Sequence, residues 1–123
     1  MEREPKPVVW IASSKRDLKA LPKAVQRATG FALWRAQLGK HHAHAKTLKG
    51  FGSAGVLEVV EDHEGDTYRA VYTIRFAEAV YVLHVFQKKS HQGSKTPRAD
   101  RALIEKRLRD AEELHKASPR EKK

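Results

Sequence analysis

The chain has 123 residues, with 25 Lys and Arg against 15 Asp and Glu, a formal net charge of +10 and a pI near 10.0. That length holds one domain with a modest core and not two. The absence of cysteine excludes disulfides and thiolate metal sites. No apolar run approaches the ~20 residues of a membrane span. The opening MEREPKP lacks the apolar core of a secretory signal. The expectation is a cytoplasmic protein with a polyanionic partner, nucleic acid first and an acidic protein second.

In chain order, Val8 to Ala12 (VVWIA) is β-branched and aromatic and predicts a strand. Ser13 or Ser14 then caps a helix, and Pro22 opens a second helix or kinks a continuous one. Leu18, Leu21, Val25, Ala28, Ala32 and Ala36 fall in one arc at helical spacing. Phe31, Trp34 and Leu38 lie on the other side, so this helix needs a second cover. That cover is either the following loop or a partner protein. Gly39 ends the helix.

Residues 40–55 read as a long glycine-rich loop. His41, His42 and His44 suggest a metal cluster, but no anionic or thiolate companion accompanies them, so no metal is assigned. Lys40, Lys46 and Lys49 are candidate contacts to a nucleic-acid backbone. Val56 to Glu61 predicts a strand. The DHEGD turn, with Gly65 at a positive-φ position, leads into the strand Tyr68 to Phe76.

On that strand Tyr68, Ala70, Tyr72, Ile74 and Phe76 share one face, and Arg69, Val71, Thr73 and Arg75 the other. Ala79 to Gln87 is apolar almost throughout, which predicts a central strand covered on both sides. Its end delivers Phe86, Lys88 and Lys89 to the sheet edge. After a polar linker containing His91 and Lys95, Thr96 should cap a last helix with Pro97 at its first position. The apolar arc of that helix is Ala99, Leu103, Ile104, Leu108, Ala111 and Leu114. Arg107 interrupts the arc and is expected to bury its stem and snorkel its head. From His115 onward the chain has no apolar content. One domain spans residues 1–123, with 1–7 and 116–123 as flexible ends. Helices beside a small antiparallel sheet of about four strands make the fold α+β, with an N-terminal helical hairpin and a C-terminal helix.

The pieces Gly55-Val56-Leu57-Glu58, Tyr68-Arg69-Ala70-Val71-Tyr72, Val82 to Ser90 (VLHVFQKKS) and Lys95-Thr96-Pro97 occur in an order that resembles the phage-derived Gp49-like, HigB-type branch of the RelE/ParE toxin superfamily. The resemblance covers roughly residues 50 to 115 and implies a RelE-like fold. It also implies the toxin of a type II toxin–antitoxin pair: a ribosome-dependent mRNA endoribonuclease that needs no metal or organic cofactor. The implied partners are mRNA, the ribosome and a helix-turn-helix, HigA-like antitoxin. Arg69 matches the family's sheet arginine, and Lys88 and Lys89 match its paired lysines. The histidine that some relatives use has no secure counterpart, His84 and His91 both being possible.

The residues themselves suit that chemistry. Cleaving RNA without metal uses the 2′-hydroxyl as nucleophile and requires charge stabilisation and proton transfer. An arginine fork holds phosphate oxygens, and a lysine among cations has a lowered pKa. Arg69, Lys88 and Lys89 are therefore the candidate catalytic residues. Arg75, Phe86, His91, Lys95, Lys46 and Lys49 are candidate RNA contacts, and Phe31 and Trp34 a candidate antitoxin surface. Two other readings fit the same chain: a ParE-like toxin that inhibits DNA gyrase, and a non-catalytic RNA-binding module.

Overall fold

The computed structural model describes residues 4–40, 42–52, 55–88 and 96–117. The elements are β1 (Val8–Trp10), α1 (Ser14–Lys19), α2 (Lys23–Gln37), β2 (Ala45–Thr47), β3 (Val56–His63), β4 (Asp66–Thr73), β5 (Val80–Lys88) and α3 (Arg98–Lys116). The strands form one sheet in the order β1-β5-β4-β3-β2.

The β3–β4 hairpin fixes the geometry of everything that follows. Glu64 and Gly65 both adopt positive φ, 50° and 85°, as a two-residue turn matched to strand twist demands. This turn sets His63 opposite Asp66 and, further along, Val60 opposite Arg69 and Glu58 opposite Val71. β5 adds to β4 antiparallel. The register steps from Val71↔His84 to Tyr72↔Val82, so Leu83 is an inserted residue.

The sheet differs from expectation in two ways. It is mixed, not antiparallel, and has five strands, not about four. β1 runs parallel to β5, with Ile11 N–H donating to the Val82 carbonyl and Val80 N–H to that of Pro7. The extra strand, β2, lies inside the segment read as a loop. Ala45, Lys46 and Thr47 pair with Val59, Glu58 and Leu57, because the open edge of β3 offers backbone groups that need partners. Burial of Leu48 holds the segment down.

Helices cover both faces. Leu18 and the inner side of α2 (Ala32, Leu33, Ala36) pack on Leu57, Val59, Ala70, Tyr72, Val80, Val82 and Val85. Ile104, Leu108 and Ala111 of α3 pack on Val56, Val71, Tyr81 and Leu83 from the other side. This double cover explains the near-continuous apolar sequence of β5.

Several local expectations are corrected. Thr96 is not the cap of α3. Pro97 occupies that position, no side chain caps the helix, and the Thr96 hydroxyl is buried with no hydrogen-bond partner. The inward face of α3 is more polar than the predicted arc: Arg107 and His115 are buried, whereas Leu103 and Leu114 are exposed. His115 is thus no part of a tail. Nor are Lys6 and Pro7 part of a flexible lead, since Lys6 N–H donates to the Gln37 carbonyl and Gln37 Nε2 to that of Lys6.

Candidate functional site

Period-two alternation sends Arg69 on β4 and His84, Phe86 and Lys88 on β5 to the α3 side of the sheet, together with Glu58 on β3. Arg69 sits opposite Phe86, and Lys88 is two pairs further along, opposite Thr67. The lysine is therefore the diagonal neighbour of the arginine. The structure brings Arg69 and Lys88 together within the sheet, where they are 4% and 7% exposed.

Arg69 does not stand open to a ligand. Its Nη1 donates to Glu58 Oε2 at 3.0 Å, both side chains being buried. Lys88 lies in the field of this pair. Burial lowers its pKa below the ordinary lysine value, the Arg69 charge lowers it further, and Glu58 opposes them. An amine so placed gives up its proton more readily than a surface lysine, the property a proton-transfer group needs.

Next along β5, Phe86 stacks on His84, ring centroids 4.7 Å apart at 18°. That face of Phe86 is therefore already occupied. His84 Nε2 meets Asp100 Oδ1 at 2.7 Å, and Arg107 Nη1 approaches His84 Nδ1 at 3.2 Å. Because a guanidinium only donates, Nδ1 is the acceptor, and the ring proton on Nε2 points to Asp100. Arg107 also donates to the Leu83 carbonyl at 3.1 Å and to Ser13 Oγ at 3.3 Å. Its head therefore reaches the sheet instead of snorkelling outward. The inserted Leu83 leaves a carbonyl there for it to bind.

Other candidates stand apart. Arg75 lies beyond the end of β4, paired with Glu112 and set against Phe76. Lys46 is exposed on β2 opposite Glu58, and Lys49 is exposed, its carbonyl accepting from Arg101 Nη2. Lys89, His91, Lys95 and His41 lie outside the described residues. Among the described residues no group of three or more His, Asp or Glu could hold a metal ion. His44 instead pairs with Glu61 at 3.5 Å. Phe31 and Trp34 are 54% and 45% exposed on α2, on the opposite side of the sheet from Lys88. Among the described loop residues, His42 meets Phe31 edge-on, ring centroids 5.5 Å apart.

Two participants escaped the sequence reading. Glu58 was legible in principle: once the turn is placed at Glu64–Gly65, this acid, set among Val56, Leu57, Val59 and Val60, falls diagonal to Arg69 on the same face. The Asp100–His84 contact had no such signal, because it depends on how α3 lies across the sheet.

Comparison with known proteins gives two findings. Among solved structures, a chain of the toxin–antitoxin complex RelBE2 from Mycobacterium tuberculosis is similar at 22% identity and a TM-score of 0.48, over 69% of this chain and 100% of that one. No curated protein matches. The model of the family described as phage-derived protein Gp49-like matches residues 16–109, a span that holds β3, β4, β5 and the buried Glu58–Arg69–Lys88 group. The chain therefore belongs to the phage-derived Gp49-like family.

Proposed function

We propose that this toxin is a metal-independent endoribonuclease that cuts mRNA on the translating ribosome in the cytoplasm, held in check by a helix-turn-helix antitoxin. The observation that carries the reading is Lys88: a buried-edge lysine with a lowered pKa beside Arg69, on a chain of net charge +10. In the reaction the 2′-oxygen bonds to phosphorus and the bond to the 5′-oxygen breaks, leaving a cyclic phosphate and a free 5′-hydroxyl. One proton leaves the 2′-hydroxyl and one reaches the 5′-oxygen. Lys88 and Lys89 share these transfers, neutral as base and charged as acid. Arg69, held by Glu58, acts through Lys88, whose proton its charge loosens. Phe86, Lys46, Lys49 and Arg75 position the RNA, and His91 and Lys95, outside the described residues, are further candidate contacts.

The test is primer extension on cellular mRNA after induction of the wild type and of Lys88→Met. In-frame cuts within coding regions that fall about a hundredfold in the variant support the reading. Growth arrest with intact mRNA and inhibited gyrase overturns it in favour of a ParE-like toxin. Salt-sensitive RNA binding without cleavage, even with translating ribosomes, leaves only a binding module.

A further inference from the structure

α3 buries Ile104, Arg107, Leu108, Ala111 and His115. Its outward side is not uniformly polar. Leu103 and Leu114 are 37% and 50% exposed. With Ala99, Lys106, Asp110 and Ala117 they fall within an arc of about 80° at 100° per residue. Successive members are three or four residues apart, the spacing of a coiled-coil seam, over a length of about 27 Å.

The seam reads alike in both directions about residue 108, except that the charge changes sign. Ala99 lies nine residues before that point and Ala117 nine after it. Leu103 lies five before and Leu114 six after, while Lys106 lies two before and Asp110 two after. A second α3 laid antiparallel, with a twofold axis at this point, sets alanine on alanine, leucine on leucine and lysine on aspartate. A self-complementary patch of this kind is what a twofold interface requires.

We propose that the outward flank of α3 is the interface between two copies of this chain, packed antiparallel. The alanines at its ends let the backbones approach, and the leucines fill the space between them. Lys106 and Asp110 already pair within one helix at 3.1 Å. In the dimer the two pairs meet as a square of alternating charge. Charge selects the occupant. An acidic helix would set carboxylates against Asp110 and a basic one cations against Lys106, whereas the antiparallel copy answers both. The whole chain carries +10, but α3 holds six Lys and Arg against five Asp and Glu, so two copies meet here without facing cation on cation. No seam residue belongs to the proposed catalytic group, so the dimer and the nuclease reading stand or fall separately.

The experiment is sedimentation of the purified full-length chain from roughly micromolar to millimolar concentration. A monomer should pass to a dimer across this range. Leu103→Lys and Leu114→Lys should each weaken the dimer roughly tenfold or more, with unchanged circular dichroism. Lys106→Glu and Asp110→Lys should each weaken it too, and the double variant, with the charges exchanged, should recover it. Glu105→Gln, on the other flank of α3, should have no effect. The chain has no cysteine, so oxidation reads the register: Ala99→Cys mixed with Ala117→Cys should cross-link, and neither variant alone should. A monomer at every concentration overturns the proposal. So does a dimer indifferent to Leu103→Lys, or one in which Ala99→Cys cross-links to itself.

Discussion

Removing one member of the Glu58–Arg69 pair should be far more damaging than removing both. At 3.0 Å and an effective dielectric of ~20, the two charges attract by about 5–6 kcal/mol, against which stands the cost of taking both out of water. Glu58→Leu leaves Arg69 and Lys88 as two neighbouring buried cations, and should lower unfolding free energy by about 3–5 kcal/mol. That is a large part of the ~5–15 kcal/mol that a domain possesses. Arg69→Met should cost less, because the Lys88 ammonium remains to face Glu58. The double variant should recover most of the loss. Urea unfolding of the four proteins, followed by circular dichroism, closes the cycle. A Glu58→Leu cost below about 1 kcal/mol, or a double variant as weak as the sum of the singles, would refute the claim that the pair is buried and coupled.

Further outcomes follow from the same contacts. The lowered Lys88 pKa means that the unfolded chain binds more protons just below the ordinary lysine value of 10.5. Stability should therefore rise as pH climbs through that window, and Lys88→Met should remove the rise, as read in urea titrations at alkaline pH. Tyr72 acts in the opposite sense: burial pushes its pKa from 10.0 to about 12. Its contribution is complete below pH 10 and is lost as pH rises toward 12, so its phenolate should appear in near-ultraviolet absorbance only with unfolding. Thr96→Val should leave stability unchanged or raised, where loss of a true cap would cost about 1 kcal/mol by thermal unfolding. His115→Ala should free α3 from Tyr81 and Glu78, bonded at 2.8 and 3.0 Å, and cost about 2–3 kcal/mol in the same assay.

What was legible in the sequence was local and periodic. Gly65 announced the hairpin, alternation assigned Arg69 and Tyr72 to opposite faces, and the apolar run of β5 predicted cover on both sides. What was illegible depended on contacts between distant segments. β2 has a polar, loop-like sequence and becomes a strand only because β3 offers it an edge. The parallel sense of β1 cannot be read from three residues. On α3, hydrophobicity pointed to Leu103 and Leu114, yet Arg107 and His115 face inward because the sheet presents the Leu83 carbonyl, His84 and the Tyr81 hydroxyl to receive them. Of the candidate site, Arg69 and Lys88 were named together through the family resemblance, and the strand register makes them diagonal neighbours. The commitment of Arg69 to Glu58 did not follow, because the reading took Arg69 as available to phosphate.

The pairing of Val8 with Val80 and Trp10 with Val82 has a consequence for biosynthesis. β1 has no hydrogen-bonding neighbour in the sheet until β5 is made. Closure of the sheet across that separation is the entropically slow contact of the fold. Lys88 ends β5, so Arg69 and Lys88 cannot come together before that strand has left the ribosome.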